Sequence, residues 1–374
     1  MRSPWPIRPI GPPLQLTALG HAPKHVAPWP WAETVVRWLL VVISVLAACE
    51  ADAATLKLSG ETMGTTYHIV AVDPTGELEA DEVRVAAETT LAAVNAKMSN
   101  WDPNSEISRF NAARSTEPVD LSPELAEVMQ AAMEVHNASR GQFDVTLGPL
   151  IELWGFGART PQSPIPSDEA IEAALKLVGQ SKVLTLTTEP PTLSKARPET
   201  SVYLAAIAKG YGIDQVAATL EDLGLEDFMV EIGGDLYASG NNPDGESWRI
   251  GIERPDAAAR VVEQIVQLSD LGMATSGDYR NYFEADGVRY SHIIDAETGR
   301  PITHKTASVT VLAESAMLAD AWATAFLALG QQRGMQLAED SGLAVFFIVR
   351  DESAGETGFV TAATPQFEAV QSGK

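Results

Sequence analysis

The chain has 374 residues, enough for one large domain or two ordinary ones, and its 45% hydrophobic content is that of a globular protein. Its net charge is −24; residues 1–49 hold Arg2, Arg8, Lys24 and Arg37 against Glu33, so the remainder carries 22 basic and 49 acidic residues, a net −27. Such a surface repels phosphate backbones and anionic lipid, which argues against a nucleic-acid binder and against membrane adhesion by charge alone.

The chain begins with a stretch, residues 1–30, that carries eight prolines. A true start near Val35 or Val36, or a disordered leader, is expected there. Trp38 to Ala48 is an apolar run preceded by Arg37, too short to span a bilayer comfortably and of signal-peptide length. Leu46-Ala47-Ala48-Cys49 then reads as a lipobox, with the Cys49 thiol lipidated to anchor a periplasmic protein to a membrane. Cleavage after Ala51-Asp52-Ala53 is the alternative, and it gives a free periplasmic protein. Cys49 is the only cysteine, so an intrachain disulfide and a cysteine-based metal site are excluded. The expected organisation is a leader and signal over 1–49 and one domain over 50–374.

Within that domain, Thr66 to Val72 reads as a strand, and Asp81 to Met98 as a helix with Val83, Ala86, Ala87, Leu91 and Val94 at helical spacing. Ser122-Pro123 marks another helix start, an N-cap followed by proline at the first position, with Gly141 past its end. A third helix is expected after Ser167 and a fourth over Ala206 to Leu223, ended by Gly224. Phe228 to Ile232, Trp248 to Ile252 and Val261 to Leu268 are strand candidates. Glu314 to Leu329 reads as a helix ended by Gly330, and Ala344 to Val349 as an apolar strand. Pro161–Pro166 and Pro190–Pro198 read as loops within the domain. Hairpins without regular βαβ alternation favour α+β, with mixed or antiparallel sheets flanked by helices.

The most informative stretch runs from Tyr290 to Pro301. Tyr282 to Tyr290 alternates around Asp286-Gly287, a two-residue hairpin signal, and leads into His292. Asp295 to Pro301 then supplies turn residues, so one imidazole stands at a strand end beside a loop mouth. Read alone, such a histidine is more often a structural one. Asp320 and Thr324 sit one helical turn apart on one face, a carboxylate and a hydroxyl that suit a hard cation such as Mg²⁺. Read alone, they are more often a solvated aspartate and a threonine bonded to its own helix.

Seven blocks in order carry a family resemblance: Thr62-Met63-Gly64-Thr65; Met98-Ser99-Asn100-Trp101 with Ser105 to Asn111; Gly141 to Leu150 running into Leu153-Trp154-Gly155-Phe156-Gly157; Ile207 to Asp214; Glu231-Ile232-Gly233-Gly234-Asp235; Tyr290 to Pro301; and Ala319 to Thr324. Over about residues 55–350 the chain resembles the ApbE family, the FAD:protein FMN transferases. The resemblance implies transfer of FMN from FAD to a Ser or Thr hydroxyl of an extracytoplasmic redox protein, such as an electron-transfer complex subunit, with release of AMP. It also implies His292 as general base, and Mg²⁺ held by Asp320 and Thr324 with main-chain oxygens of Ala206 and Ala323. Met63, Trp101, Gln142, Phe143, Asp144, Lys209 and Ile294 match positions at the FAD site. Read alone, core packing is the commoner reading of Met63 and an even one for Trp101; Asp144 could equally stabilise a turn, Asp295 orients one, and Gly233-Gly234-Asp235 reads as structural first. Where the family has Asp-Leu-Gly-Gly-Ile-Ala-Lys-Gly, this chain has Tyr203-Leu204-Ala205-Ala206-Ile207-Ala208-Lys209-Gly210. Tyr203 thus stands where a carboxylate contacts FAD, and it offers no anionic acceptor at neutral pH. That departure keeps two alternatives open: hydrolysis of FAD to FMN and AMP, and a flavin-binding protein without chemistry.

Overall fold

A computed structural model describes residues 53–156, 165–256, 261–355 and 358–372. The leader, the lipobox at Cys49, Gly157 and residues 161–164 of the first proline segment lie outside the described residues.

A hairpin comes first, β1 (Ala54–Thr62) with β2 (Thr65–Asp73), followed by α1 (Ala80–Met98) and α2 (Glu106–Ala112). Next are β3 (Val119–Asp120), α3 (Pro123–Ala138), α4 (Gly148–Leu153), α5 (Asp168–Leu175) and α6 (Gln180–Val183). A small sheet is completed by β4 (Leu184–Thr188) and β5 (Pro191–Lys195), and α7 (Ala208–Asp222) leads into β6 (Asp227–Ile232) and β7 (Asp235–Ser239). A ribbon of β8 (Trp248–Glu253) and β9 (Val262–Leu268) precedes β10 (Leu271–Gly277). Two hairpins follow: β11 (Tyr282–Ala285) with β12 (Val288–Ser291), and β13 (Ile294–Asp295) with β14 (Arg300–Pro301). The chain closes through β15 (Thr306–Ala313), α8 (Ala316–Asp340), β16 (Ala344–Arg350), β17 (Phe359–Ala363) and α9 (Pro365–Gln371).

Among the described residues the large sheet has eight strands in the order β1-β2-β6-β7-β10-β15-β16-β17, antiparallel at every pairing. The α+β expectation holds. Alternate residues of β15 and β16 feed opposite cores. Val309, Val311, Val345 and Phe347 pack with Phe326 of α8 and Leu125 of α3, whereas Leu312, Phe346 and Ile348 meet Trp248, Val266 and Phe367. A second part of the helical face joins Leu91 of α1 and Ile213 of α7 to Ile69 and Val230 of the sheet.

Local signals placed several elements. Ser122 Oγ accepts from Leu125 N at 3.3 Å at the start of α3, and Asp286 (φ 51°) and Gly287 (φ 75°) both take the left-handed conformation of a tight hairpin turn. Other readings need correction. The segment from Pro190 to Pro198 is not only loop: Pro191–Lys195 pairs with β4 and, at Leu193 and Thr192, with β3. Gly330 ends the first helical stretch of α8 as expected, at φ 74° and ψ 163°, and a second stretch then runs on to Asp340, its Gln331 N donating to Thr306 Oγ1 at 2.8 Å. Five strands of the large sheet, β1, β7, β10, β15 and β17, escaped the sequence reading.

The site is set by how α7 meets α8. Asp214 on α7 accepts from the first main-chain N–H groups of α8, Ala316 at 2.8 Å and Met317 at 2.9 Å, capping it from outside. Burial raises the Asp214 carboxyl to about 6 despite these bonds. Gly210 permits the approach: a Cβ there would stand 2.2 Å from the Ala316 carbonyl oxygen. Gly210→Ala is expected to cost about 1–3 kcal/mol, as overpacking does, read as a lowered midpoint in urea denaturation. An unchanged midpoint would mean that the two helices are not in fixed contact.

Candidate active site

A cleft of about 1090 Å³ opens above the start of α7, the middle of α8, the end of β10 and the segment following β12. Such a volume suits a nucleotide-sized ligand.

Its floor is ionic. Lys209 Nζ bonds Asp235 Oδ2 and lies 3.4 Å from both oxygens of Asp320. Asp235 follows the Gly233-Gly234 turn, whose residues have φ 60° and 101°, and its Oδ1 accepts from Thr275 N at 3.1 Å. Asp320 Oδ2 also accepts from Gly210 N at 3.2 Å. Both carboxylates are almost fully buried, at 4% and 5% side-chain exposure, so one ammonium compensates two anions. Burial pushes the Asp320 carboxyl up, against the pull of Lys209. Burial also disfavours the Lys209 charge, but the fields of Asp235 and Asp320 outweigh it and hold the ammonium above its ordinary range.

The donor set for a cation consists of hard oxygens. Thr324 Oγ1 reaches the cleft beside Ser276 Oγ, 3.1 Å away, one turn beyond Asp320. The N–H of Gly210, the usual helical partner of the Ala206 carbonyl, goes instead to Asp320, so that carbonyl stays outside the helical ladder on the cleft wall. Ala323 is buried in α8 and is not on the wall. Among the described residues no three His, Cys, Asp or Glu side chains gather as a metal cluster. The carboxylate, hydroxyl and carbonyl oxygens fit Mg²⁺, which keeps several positions for water and phosphate.

His292 stands immediately after β12. Its main-chain N–H donates to the Asn281 carbonyl at 3.1 Å, and its Nδ1 lies 2.9 Å from the same oxygen. A carbonyl only accepts, so Nδ1 carries the proton and Nε2 holds the lone pair. Burial lowers the His292 pKa, with the Asn281 carbonyl and the charge of Asp278 opposing. The ring is therefore neutral and basic at neutral pH.

The other expected residues divide. Trp101 lines the cleft at 84% exposure, and Asn100 beside it ties the loop down through Val202 O at 2.7 Å and Leu204 N at 2.9 Å. An aromatic so exposed beside a cleft is a natural face for a planar ligand. Gln142 lies on the wall, and among the described residues its buried Oε1 has no partner. Phe143 and Ile294 contribute buried apolar surface. Asp144 lines the cleft, but its oxygens serve Thr146, Gly179 and Gln180, which holds the 142–148 loop to α6. Asp295 closes its turn by accepting from Glu297 and Thr298 N, both at 2.9 Å. Met63 is not on the wall; it packs against Gly212, where a Cβ would lie 2.7 Å from its Cε. Tyr203 lines the cleft and donates its hydroxyl to Glu152. Sequence reading missed Asn281, which fixes the histidine tautomer, and Glu152. It also left Asp235 as a turn residue, although an aspartate straight after two glycines at a strand end was a usable signal.

Fold and cleft together define an α+β enzyme built around a nucleotide-sized site, with a neutral histidine above an oxygen-rich ionic floor. The chain belongs to the ApbE family, whose sequence model matches residues 63–347. It is 44% identical over 333 residues to the FAD:protein FMN transferase of Vibrio cholerae, spanning 88% of this chain and 98% of that one. Identity to the FAD:protein FMN transferase of Escherichia coli is 34% over 312 residues, 83% of this chain and 88% of that one. Among solved structures it is similar to the flavin transferase ApbE from Vibrio cholerae, with a TM-score of 0.76 at 42% identity over 84% of this chain and 99% of that one. It is likewise similar to the apo flavinyl transferase ApbE of Pseudomonas stutzeri, with a TM-score of 0.76 at 38% identity over 85% and 97%.

Proposed function

We propose that this chain is a flavin transferase that moves FMN from FAD to a Ser or Thr hydroxyl of an extracytoplasmic acceptor protein, releasing AMP, with Mg²⁺ at the Asp320 floor. Transfer of flavin from FAD is the activity named for relatives that span nearly the whole described domain. The observation that carries the reading to this chain is the His292 tautomer, locked by Asn281 with Nε2 free, on the wall of a cleft floored by Asp320 and Lys209.

The acceptor oxygen attacks the phosphorus on the FMN side of the pyrophosphate and the bond to the AMP phosphate breaks. His292 Nε2 takes the hydroxyl proton, and AMP departs with the bridging oxygen. Trp101 and Phe143 give the ligand apolar surface, and Gln142 an amide acceptor. Lys209 fixes the two buried carboxylates at the floor. Asp320, Thr324 and the Ala206 carbonyl would hold Mg²⁺, and the ion would neutralise the diphosphate. The Trp38–Ala48 run and Cys49 support a lipid-anchored, periplasmic location, where covalent attachment keeps flavin from diffusing away.

The test mixes purified protein, FAD, Mg²⁺ and a flavin-acceptor domain, and follows acceptor mass and AMP together. The expected result is an acceptor mass gain equal to FMN with one AMP each, both lost in EDTA. AMP without acceptor labelling would establish hydrolysis instead, and intact FAD with neither product a binding protein.

A further inference from the structure

Four carboxylates line the cleft, and in three of them both oxygens already accept hydrogen bonds from the protein. Asp144 accepts from Thr146, Gly179 and Gln180; Asp235 from Lys209 and Thr275; Asp320 from Lys209 and Gly210. Glu152 differs. It is exposed, and its one hydrogen bond among the described residues comes from the Tyr203 hydroxyl to Oε1.

The pair is held still from both sides. Tyr203 N donates to Val145 O at 2.7 Å, and its ring covers Gly148 so closely that a Cβ there would stand 2.2 Å from Cε2. Glu152 rides on α4, whose end is pinned by buried Trp154, Nε1 donating to Gly299 O at 2.8 Å. Burial and the neighbouring Glu152 raise the Tyr203 hydroxyl to about 12, so it remains a donor. The tyrosine therefore aims the carboxylate.

In a chain of net −24, another anion on the wall of a site for an anionic dinucleotide repels the ligand unless the ligand donates a hydrogen bond to it. We propose that Glu152, aimed by Tyr203, reads an N–H or O–H donor on the bound FAD and so sets the selectivity of the cleft. The proposal rests on the FAD reading above. The acceptor that Tyr203 itself cannot provide comes from Glu152, 51 residues earlier. The donor belongs either to the flavin half or to the adenosine half.

Calorimetric titration of FAD, FMN and AMP into the protein and into Glu152→Gln and Tyr203→Phe tests this. Glutamine keeps an acceptor for the tyrosine but removes the charge, and phenylalanine keeps the ring over Gly148. Glu152→Gln is expected to weaken FAD about ten- to a hundredfold, the scale of a lost charge-assisted hydrogen bond. The same factor appears with FMN or with AMP but not both, which assigns the half that is read. Tyr203→Phe gives a smaller loss on the same half. FAD binding by Glu152→Gln as tight as, or tighter than, that of the unsubstituted protein overturns the proposal, as does equal weakening of FMN and AMP. If the unsubstituted protein fails to bind FAD, this proposal and the functional reading fall together.

Discussion

His292→Ala is expected to lower the rate of flavin transfer by about 10²–10⁴, the usual contribution of a positioned general base, while leaving FAD affinity within a few fold. The side chain is half-buried; among the described residues its ring bonds the Asn281 carbonyl and meets the Phe156 ring edge-on, so its removal should lower the melting temperature only slightly. The pH profile gives an independent check. The base works in its neutral form, and burial lowers its pKa. The rate therefore stays flat from neutral pH down to the ordinary imidazole value of about 6.5 and falls only below it, as Nε2 becomes protonated. Single-turnover rates between pH 5 and 8 measure this limb. A residual rate close to that of the unsubstituted enzyme, with the limb still present, would assign the base to another group.

The second large effect is on stability. Lys209→Met removes the one cation between two buried carboxylates, and breaking a buried ion pair from one side costs about 3–5 kcal/mol. The variant should show that loss in urea unfolding at pH 7.5 with EDTA present. Its sign with pH is fixed by the carboxylates. Asp320 already has a raised folded pKa from burial, and without Lys209 the like charge of Asp235 raises it further. A group whose folded pKa exceeds its unfolded value favours the fold at low pH and loses that contribution as pH rises. The deficit should therefore narrow between pH 7.5 and 5, and Lys209→Met with Asp320→Asn should recover part of it. A deficit that does not depend on pH would mean that Lys209 acts by packing alone.

Much of this protein was legible because several signals are local. Ser122-Pro123 satisfies orphan N–H groups at a helix start whatever lies around it, and Asp286-Gly287 supplies two left-handed residues to a hairpin turn. The strands that went unread lack such signals. In β15, Thr306 to Leu312 are all buried because the sheet is covered on both faces, so polarity does not alternate along it. Gly330 marks a helix stop locally, but the second helical stretch beyond it depends on Thr306 of a neighbouring strand, which satisfies Gln331 N.

The sequence by itself determined the family, the α+β class, the histidine at the strand end and the Asp320–Thr324 face, since each depends on residue identity at short spacing. Only the tertiary structure decided what those groups do to one another. Lys209 meets Asp320 across 111 positions, the His292 proton is placed by the Asn281 main chain, and Tyr203 finds Glu152 across 51. Such pairs are set by how α7, α8 and the hairpins pack, and a contact between distant segments leaves no trace in local propensity or period. Burial, which fixes the charge state of each group, arises only when those segments come together.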